Sequence, residues 1–311
     1  MGGLVVKVHP WIVTLALGMI AMPVDGQEIA LVSTPLLPIY NSEIGLPFLS
    51  AARIRDLANP CTSPEVVANP TRPNWDNSTT TTQCGVLEGD FGWIDQPMRA
   101  GVRQQQVVTS LRYGVTPKLD VRIGMTNWIG QFGSETETQN GAGDQCYSVR
   151  YRFAEQSQMF VSLAVLYGYK LATASPAKGL GSGFGDHTLT LLASRDQGKY
   201  HLDFNVAGTI AGTEDGHEGA AQYGLALSRP LTKKLAMVLE SYGGPQPGTT
   251  DRFGANLVGA SYVLNPRVVL DVAYARTYTA GSPRSQLMAG ITVAHRVARP
   301  ALPGWMHRKG L

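Results

Sequence analysis

From about residue 105 to residue 296 the chain alternates apolar and polar residues in runs of roughly ten, and the connections between runs are short and long by turns. In Lys199-Tyr200-His201-Leu202-Asp203-Phe204-Asn205-Val206, the apolar Tyr200, Leu202, Phe204 and Val206 fall on one face. His201, Asp203 and Asn205 fall on the other. Strand side chains repeat every two residues, so such a segment is greasy on one side and wet on the other. A long series of two-sided strands constrains the chain to an antiparallel sheet with one whole face withdrawn from water.

Composition narrows this further. A hydrophobic fraction of 43% is too low for a bundle of membrane helices. Charged residues make up only 16%, against about 25% in ordinary soluble proteins, and glycine is abundant at 35 residues. The net charge of +3 and the lack of a basic run give no ground for a nucleic-acid partner.

The N-terminus reads as a secretory signal over residues 1–26. Lys7 and His9 precede an apolar core from Trp11 to Met22, and Val24 and Gly26 are small residues two apart, placing cleavage before Gln27. The apolar core is shorter than the roughly 20 residues that a span needs. Residues 27–84 are broken by Pro35, Pro38, Pro47, Pro60, Pro64, Pro70 and Pro73 and read as an irregular, loosely packed periplasmic lead-in. Within it, Ser50 to Leu57 fits a short helix, and the Asn77-Ser78-Thr79 sequon is a chance match in a bacterial setting. Cys61 and Cys84 are candidates for a disulfide in an oxidising compartment, with Cys146 left over on a strand. No Cys or His stands at ligand spacing, so neither a metal nor another cofactor is expected.

Twelve strands are expected near 86–95, 105–114, 119–129, 145–153, 158–169, 187–195, 199–210, 220–229, 234–242, 255–264, 267–277 and 286–296. Short turns fall at Val115 to Lys118, Ala154 to Gln156, Asp196 to Gly198, Pro230 to Lys233 and Asn265-Pro266. Longer Gly-rich stretches occupy 130–144, 170–186, 211–219, 243–254 and 278–285. Short turns on the periplasmic side and long loops outside are the cadence of an up-and-down barrel in an outer membrane. The expected fold is therefore an all-β transmembrane antiparallel barrel over residues 85–296, followed by a basic tail, 297–311. Aromatics near strand ends, Tyr113, Trp128, Tyr167, Tyr169, Tyr200, Tyr242 and Tyr262, suggest an interfacial girdle.

Charges on the lipid face are costly, so those on the strands are assigned to the lumen. Arg112, Arg122, Arg150 and Arg152 lie on three neighbouring strands; His201, Asp203, Glu240 and Asp271 lie further round. The expectation is a basic wall facing an acidic wall across the lumen, either lining a pore or pairing to fill it. No catalytic residue is assigned. Gly181 to Asp186 lacks the Lys-Ser/Thr of a phosphate loop, and no histidine sits in a nucleophile motif. The functional expectation is passive passage of a small solute, with outer-membrane lipid and the barrel assembly machinery as partners. The alternatives are an outer-membrane acyl hydrolase and a structural or adhesive barrel.

Several motifs carry a family resemblance over roughly residues 85–296. Val107 to Arg122, with Tyr113-Gly114-Val115-Thr116 at its turn, is similar to a hairpin of the MetA-pathway of phenol degradation family. Gly183-Phe184-Gly185-Asp186 resembles that family's Gly-x-Gly-Asp before a strand. Glu240-Ser241-Tyr242-Gly243 and Gly259 to Leu264 followed by Leu270-Asp271 resemble its later strands. The resemblance implies an outer-membrane barrel transporter for small, aromatic or hydrophobic molecules. The lead-in is longer than in that family, and the chain ends in a basic tail where barrels usually carry an aromatic residue.

Overall fold

The computed structural model describes residues 61, 63, 65–98, 101–133, 138–157, 160–245, 252–279 and 283–297. The signal segment, the expected helix at Ser50 to Leu57 and nearly all of the basic tail lie outside these residues.

Among the described residues thirteen strands follow one another: β1 (Val86–Pro97), β2 (Arg103–Thr116), β3 (Leu119–Phe132), β4 (Gln139–Gly141), β5 (Gln145–Ala154), β6 (Ser162–Leu171) and β7 (Asp186–Gln197). After these come β8 (Tyr200–Thr213), β9 (Gly216–Pro230), β10 (Leu235–Pro245), β11 (Arg252–Asn265), β12 (Val268–Thr277) and β13 (Ser285–Arg296). All ladder pairs are antiparallel and, apart from β1 with β13, join chain neighbours, with β3 passing over β4 to pair with β5. β1 pairs with β2 on one side and with β13 on the other, through Val86↔Arg296 to Asp95↔Leu287. That pairing closes a twelve-stranded barrel, and β4 is a short extra strand against the outer part of β3. Closure leaves no sheet edge to be satisfied in a medium without water.

The two faces separate as the period of two requires. Leu189, Leu191, Leu202, Val206, Tyr223, Leu225, Leu227, Leu270, Val272 and Tyr274 are all exposed on the outer wall. A continuous apolar outer surface on a closed barrel is the surface of a membrane-spanning barrel, with hydrocarbon as its solvent. Among the described residues no helix is long and apolar enough to cross a membrane. The turns expected to be short gather at one end; between β7 and β8 the turn is Gly198-Lys199, where Gly198 holds φ at +60°, a value that costs glycine nothing.

The structure departs from the sequence reading in several places, the short strand β4 within the expected loop 130–144 among them. The stretch 211–219, expected as a loop, is mostly strand: β8 runs to Thr213 and β9 starts at Gly216. The ladder simply continues there through Ala211↔Glu218, Gly212↔His217 and Thr213↔Gly216, and Gly216, at φ +126°, closes a two-residue reversal. Tyr242 is buried on the lumenal face and so stands outside the girdle. Lastly, residues 66–83 are not a loosely packed lead-in. They are irregular backbone, but they run inside the barrel, where Val66, Ala68, Asp76 and Thr79 to Gln83 are buried.

Candidate functional site

The lumen is filled from within by this segment. Its two ends are joined at the short-turn end of the barrel by a disulfide between Cys61 and Cys84, with Cα atoms 4.7 Å apart. From there Ala68 N–H donates to Pro266 O at 2.8 Å, in the β11–β12 turn. The chain then rises along β12, β13 and β1. Arg72 places Nε 3.5 Å from Asp271 and donates from Nη2 to Ala289 O at 3.3 Å. Trp75 is the crest. Its indole stacks on Tyr242 with centroids 5.4 Å apart and planes 2° from parallel, and it tilts against Phe253. The descent passes β8, β7 and β3: Asn77 exchanges two hydrogen bonds with Asn205, at 3.1 and 3.0 Å, and Thr79 N–H donates to Ser194 at 2.9 Å. Thr82 N–H donates to Asp120 at 2.8 Å before the chain enters β1. Irregular backbone inside a barrel must find partners for its own amides, and here strand side chains supply them.

Lumen-facing glycines make the room. A methyl group on Gly92 or Gly290 would collide with the Arg72 guanidinium, and one on Gly224 with the Asp76 carboxyl. In a strand a glycine costs stability unless something approaches closely, and here the loop does.

The structure puts the sequence-picked residues on the lumenal face but does not pair them across it. Arg112 is fully buried and bonds to acids on β1: Nη2 to Glu88 at 2.7 Å and Nε to Asp90 at 3.0 Å, with Asn69 O accepting a further bond at 2.9 Å. Arg150 pairs with Asp120 on β3 and donates to Ser78 O at 2.8 Å. Arg152 lies 3.5 Å from Glu155 and donates to Pro117 O. Arg122 donates from Nη1 to Asn77 at 2.9 Å. The acids expected opposite are taken up elsewhere. Glu240 accepts from the Trp75 and Asp76 amides, Asp271 meets Arg72, and Asp203 accepts from Ser194 at 2.5 Å. The cause is physical: the loop lies between the walls, so most of these charges find partners on an adjacent strand or on the loop, because a buried charge left unpaired costs several kcal/mol. Arg122 is the exception, with Nε and Nη2 buried and without a hydrogen-bond partner. Glu88, Asp90 and Asp120 were missed by sequence reasoning, although each shares strand parity with the lumenal side.

The wall is chemically divided. The charged residues of β1, β2, β3 and β5 form one side. On the other, Ala226, Val238, Tyr242, Leu257, Ala273 and Met288 form an apolar cluster with Glu240 and Asp271 set among them, and Trp75 packs against it.

Ser78, His201 and Asp196 superficially resemble a nucleophile, base and orienting acid: Ser78 Oγ lies 3.4 Å from His201 Nε2, and His201 Nδ1 lies 2.6 Å from Asp196. However, Nε2 also lies 3.1 Å from Asp203 Oδ1. A carboxylate only accepts, so that nitrogen serves as a donor and offers Ser78 no lone pair. The arrangement anchors the loop to β7 and β8. Among the described residues no cluster of His, Cys, Asp or Glu has the makings of a metal site.

No protein-family model matches the chain, and no curated protein does. Solved structures do. An outer membrane channel from Pseudomonas putida F1 matches with a TM-score of 0.55 and 13% identity, over 70% of this chain and 98% of its own. At that identity the likeness shows a shared barrel fold and nothing finer. The KdgM porin bound to oligogalacturonate matches at a TM-score of 0.45 and 8% identity, over 66% of this chain and 98% of that one. The CymD monoaromatic hydrocarbon channel matches at 0.39 and 10%, over 70% and 89%.

Proposed function

We propose that the chain is an outer-membrane channel for small solutes, gated by its own residues 61–84, with the short-turn end in the periplasm. The membership in the MetA-pathway of phenol degradation family that its hairpin motifs suggest belongs to this reading, as does export through a cleaved signal peptide. Passage is passive and involves no catalytic cycle.

One observation carries the proposal. The lumen holds one side dense in charge and, across from it, an apolar cluster, and that cluster is covered by an aromatic ring of the chain itself, Trp75 stacked on Tyr242. When the loop is displaced, the Tyr242 face and the Ala, Val and Leu wall around it are freed for another flat apolar group. Offset stacking of this kind contributes about 0.5–1.5 kcal/mol beyond area burial. That is enough to select a small aromatic or hydrophobic solute and too little to trap it. Planar-bilayer recordings of Trp75→Ala test this. The reading expects more frequent openings than in the wild type, and current block by a small aromatic solute that weakens on Tyr242→Ala. A variant as closed as the wild type, with no such block, would overturn it.

A further inference from the structure

The outer rim of β7, β8 and β9 at the short-turn end carries a cationic patch that the lumenal function does not use. Arg195 shares the lipid-facing side of β7 with Leu189 and Leu191, and Arg229 shares that of β9 with Tyr223, Leu225 and Leu227. On β8 between them stands Tyr200. The Arg229 guanidinium lies 5.3 Å from the Tyr200 ring centroid and donates to its hydroxyl at 3.3 Å. Register brings the group together: Arg195 pairs with Leu202, Leu202 with Leu227, and Ser228, next to Arg229, with His201, next to Tyr200. The adjoining turns add Lys199, Lys233 and Lys234, all exposed. Along the described residues of these three strands the lipid-facing positions hold no carboxylate. Asp196 points the other way and is engaged by His201.

We infer that this rim binds the phosphate headgroup of an anionic phospholipid in the leaflet that meets the short turns. The chemistry is specific to that occupant. The cations sit where the apolar wall ends, which is the depth of the headgroup. An arginine anchored on a tyrosine ring and its hydroxyl presents its remaining N–H groups as a fork that suits phosphate oxygens. The hydrocarbon below Arg195 and Arg229 excludes a soluble ligand from half of the patch, whereas a lipid fills both halves. The inference rests on the membrane reading proposed above, and its test is arranged so that the two can fail separately.

The wild type and the variant Arg195→Gln/Lys199→Gln/Arg229→Gln are refolded, and folding is scored by heat-modifiable gel migration and by insertion into planar bilayers. Lipid retention is then read by native mass spectrometry from mixed micelles holding phosphatidylglycerol and phosphatidylcholine in equal amounts. The wild type is expected to retain phosphatidylglycerol preferentially, and the variant to lose that preference by about fivefold for each cation removed. Excess inorganic phosphate is expected not to displace the lipid; complete displacement would mark a free-phosphate site and overturn the inference. A wild type that folds and inserts but retains the two lipids equally overturns the lipid site alone. A wild type that fails to insert overturns the membrane reading on which it stands. If the triple variant does not fold, Arg229→Gln alone serves, with a fall of about fivefold expected and an unchanged preference counting against the site.

Discussion

Glu240, in the middle of β10, accepts a hydrogen bond from the backbone amide of Asp76 at 2.5 Å and a second from that of Trp75 at 2.9 Å. One strand carboxylate thus fixes the crest of the lumenal loop. Glu240→Ala leaves both buried amides without an acceptor, at about 1–3 kcal/mol each. The expected outcome is a barrel that still folds, with a loop released at least tenfold more often, read as open probability in planar bilayers. Glu240→Gln keeps an acceptor oxygen for one amide and is expected to fall between the two.

Asp76 gives the loop a pH dependence of defined sign. Its carboxyl is pushed up to about 9 from an ordinary 3.8, first by burial, then by the nearby Glu240 and Asp203. Docked, the group keeps its proton; undocked, it releases it near the ordinary value. Docking is therefore strongest below the ordinary value, weakens as pH rises through the window between the two, and is weakest above about 9. Conductance at pH 9 is expected to exceed that at pH 5, and Asp76→Asn is expected to flatten the Asp76-dependent part of the profile. An opposite slope in the wild type would contradict the assignment.

The disulfide between Cys61 and Cys84 closes a loop whose ends are 23 residues apart in sequence. Closing a loop of that length removes about 3 kcal/mol of chain entropy from the undocked state. The double variant Cys61→Ser/Cys84→Ser is expected to keep its heat-modifiable migration while residues 66–83 become accessible to limited proteolysis. A loop as protected as in the wild type would show that strand contacts alone hold it.

Arg112 neutralises Glu88 and Asp90 in a fully buried network on β1 and β2. Arg112→Ala strands two carboxylates and is expected to cost about 3–5 kcal/mol, read as a lower temperature for loss of the folded gel band. Replacing Glu88 and Asp90 with Gln and Asn in the same chain is expected to restore much of it, since the unpaired charges are then gone.

The strand run was legible because it rests on the period of two, a local property. Val268, Leu270, Val272 and Tyr274 show their lipid-facing side without any tertiary knowledge, and the short turns at Pro117 and Gly198 announce themselves by residue type. The same parity put Arg112, Arg122, Arg150 and Arg152 on the lumenal face. What the residues opposite them would be was not legible, because parity says which way a side chain points and nothing about what has been threaded between the walls. The proline-rich stretch around Pro70 and Pro73 has no periodicity, so the lumenal loop left no pattern of its own. Its trace was indirect: Gly92, Gly224 and Gly290 stand at lumen-facing positions that a filled barrel without a loop would give to larger side chains. Tyr242 was misplaced for a related reason, since a ring near a strand end suits a headgroup as well as it suits an indole.

The central claim is that a conducting barrel is closed by its own residues 61–84. Single-channel recording in planar bilayers, comparing the wild type with a chain in which residues 66–83 are replaced by a short Gly-Ser linker, tests it most directly. The wild type is expected to show rare, small openings, and the variant a steady conductance several times larger. Two chains of equal conductance, or two that do not conduct at all although both insert and migrate as folded barrels, would contradict it.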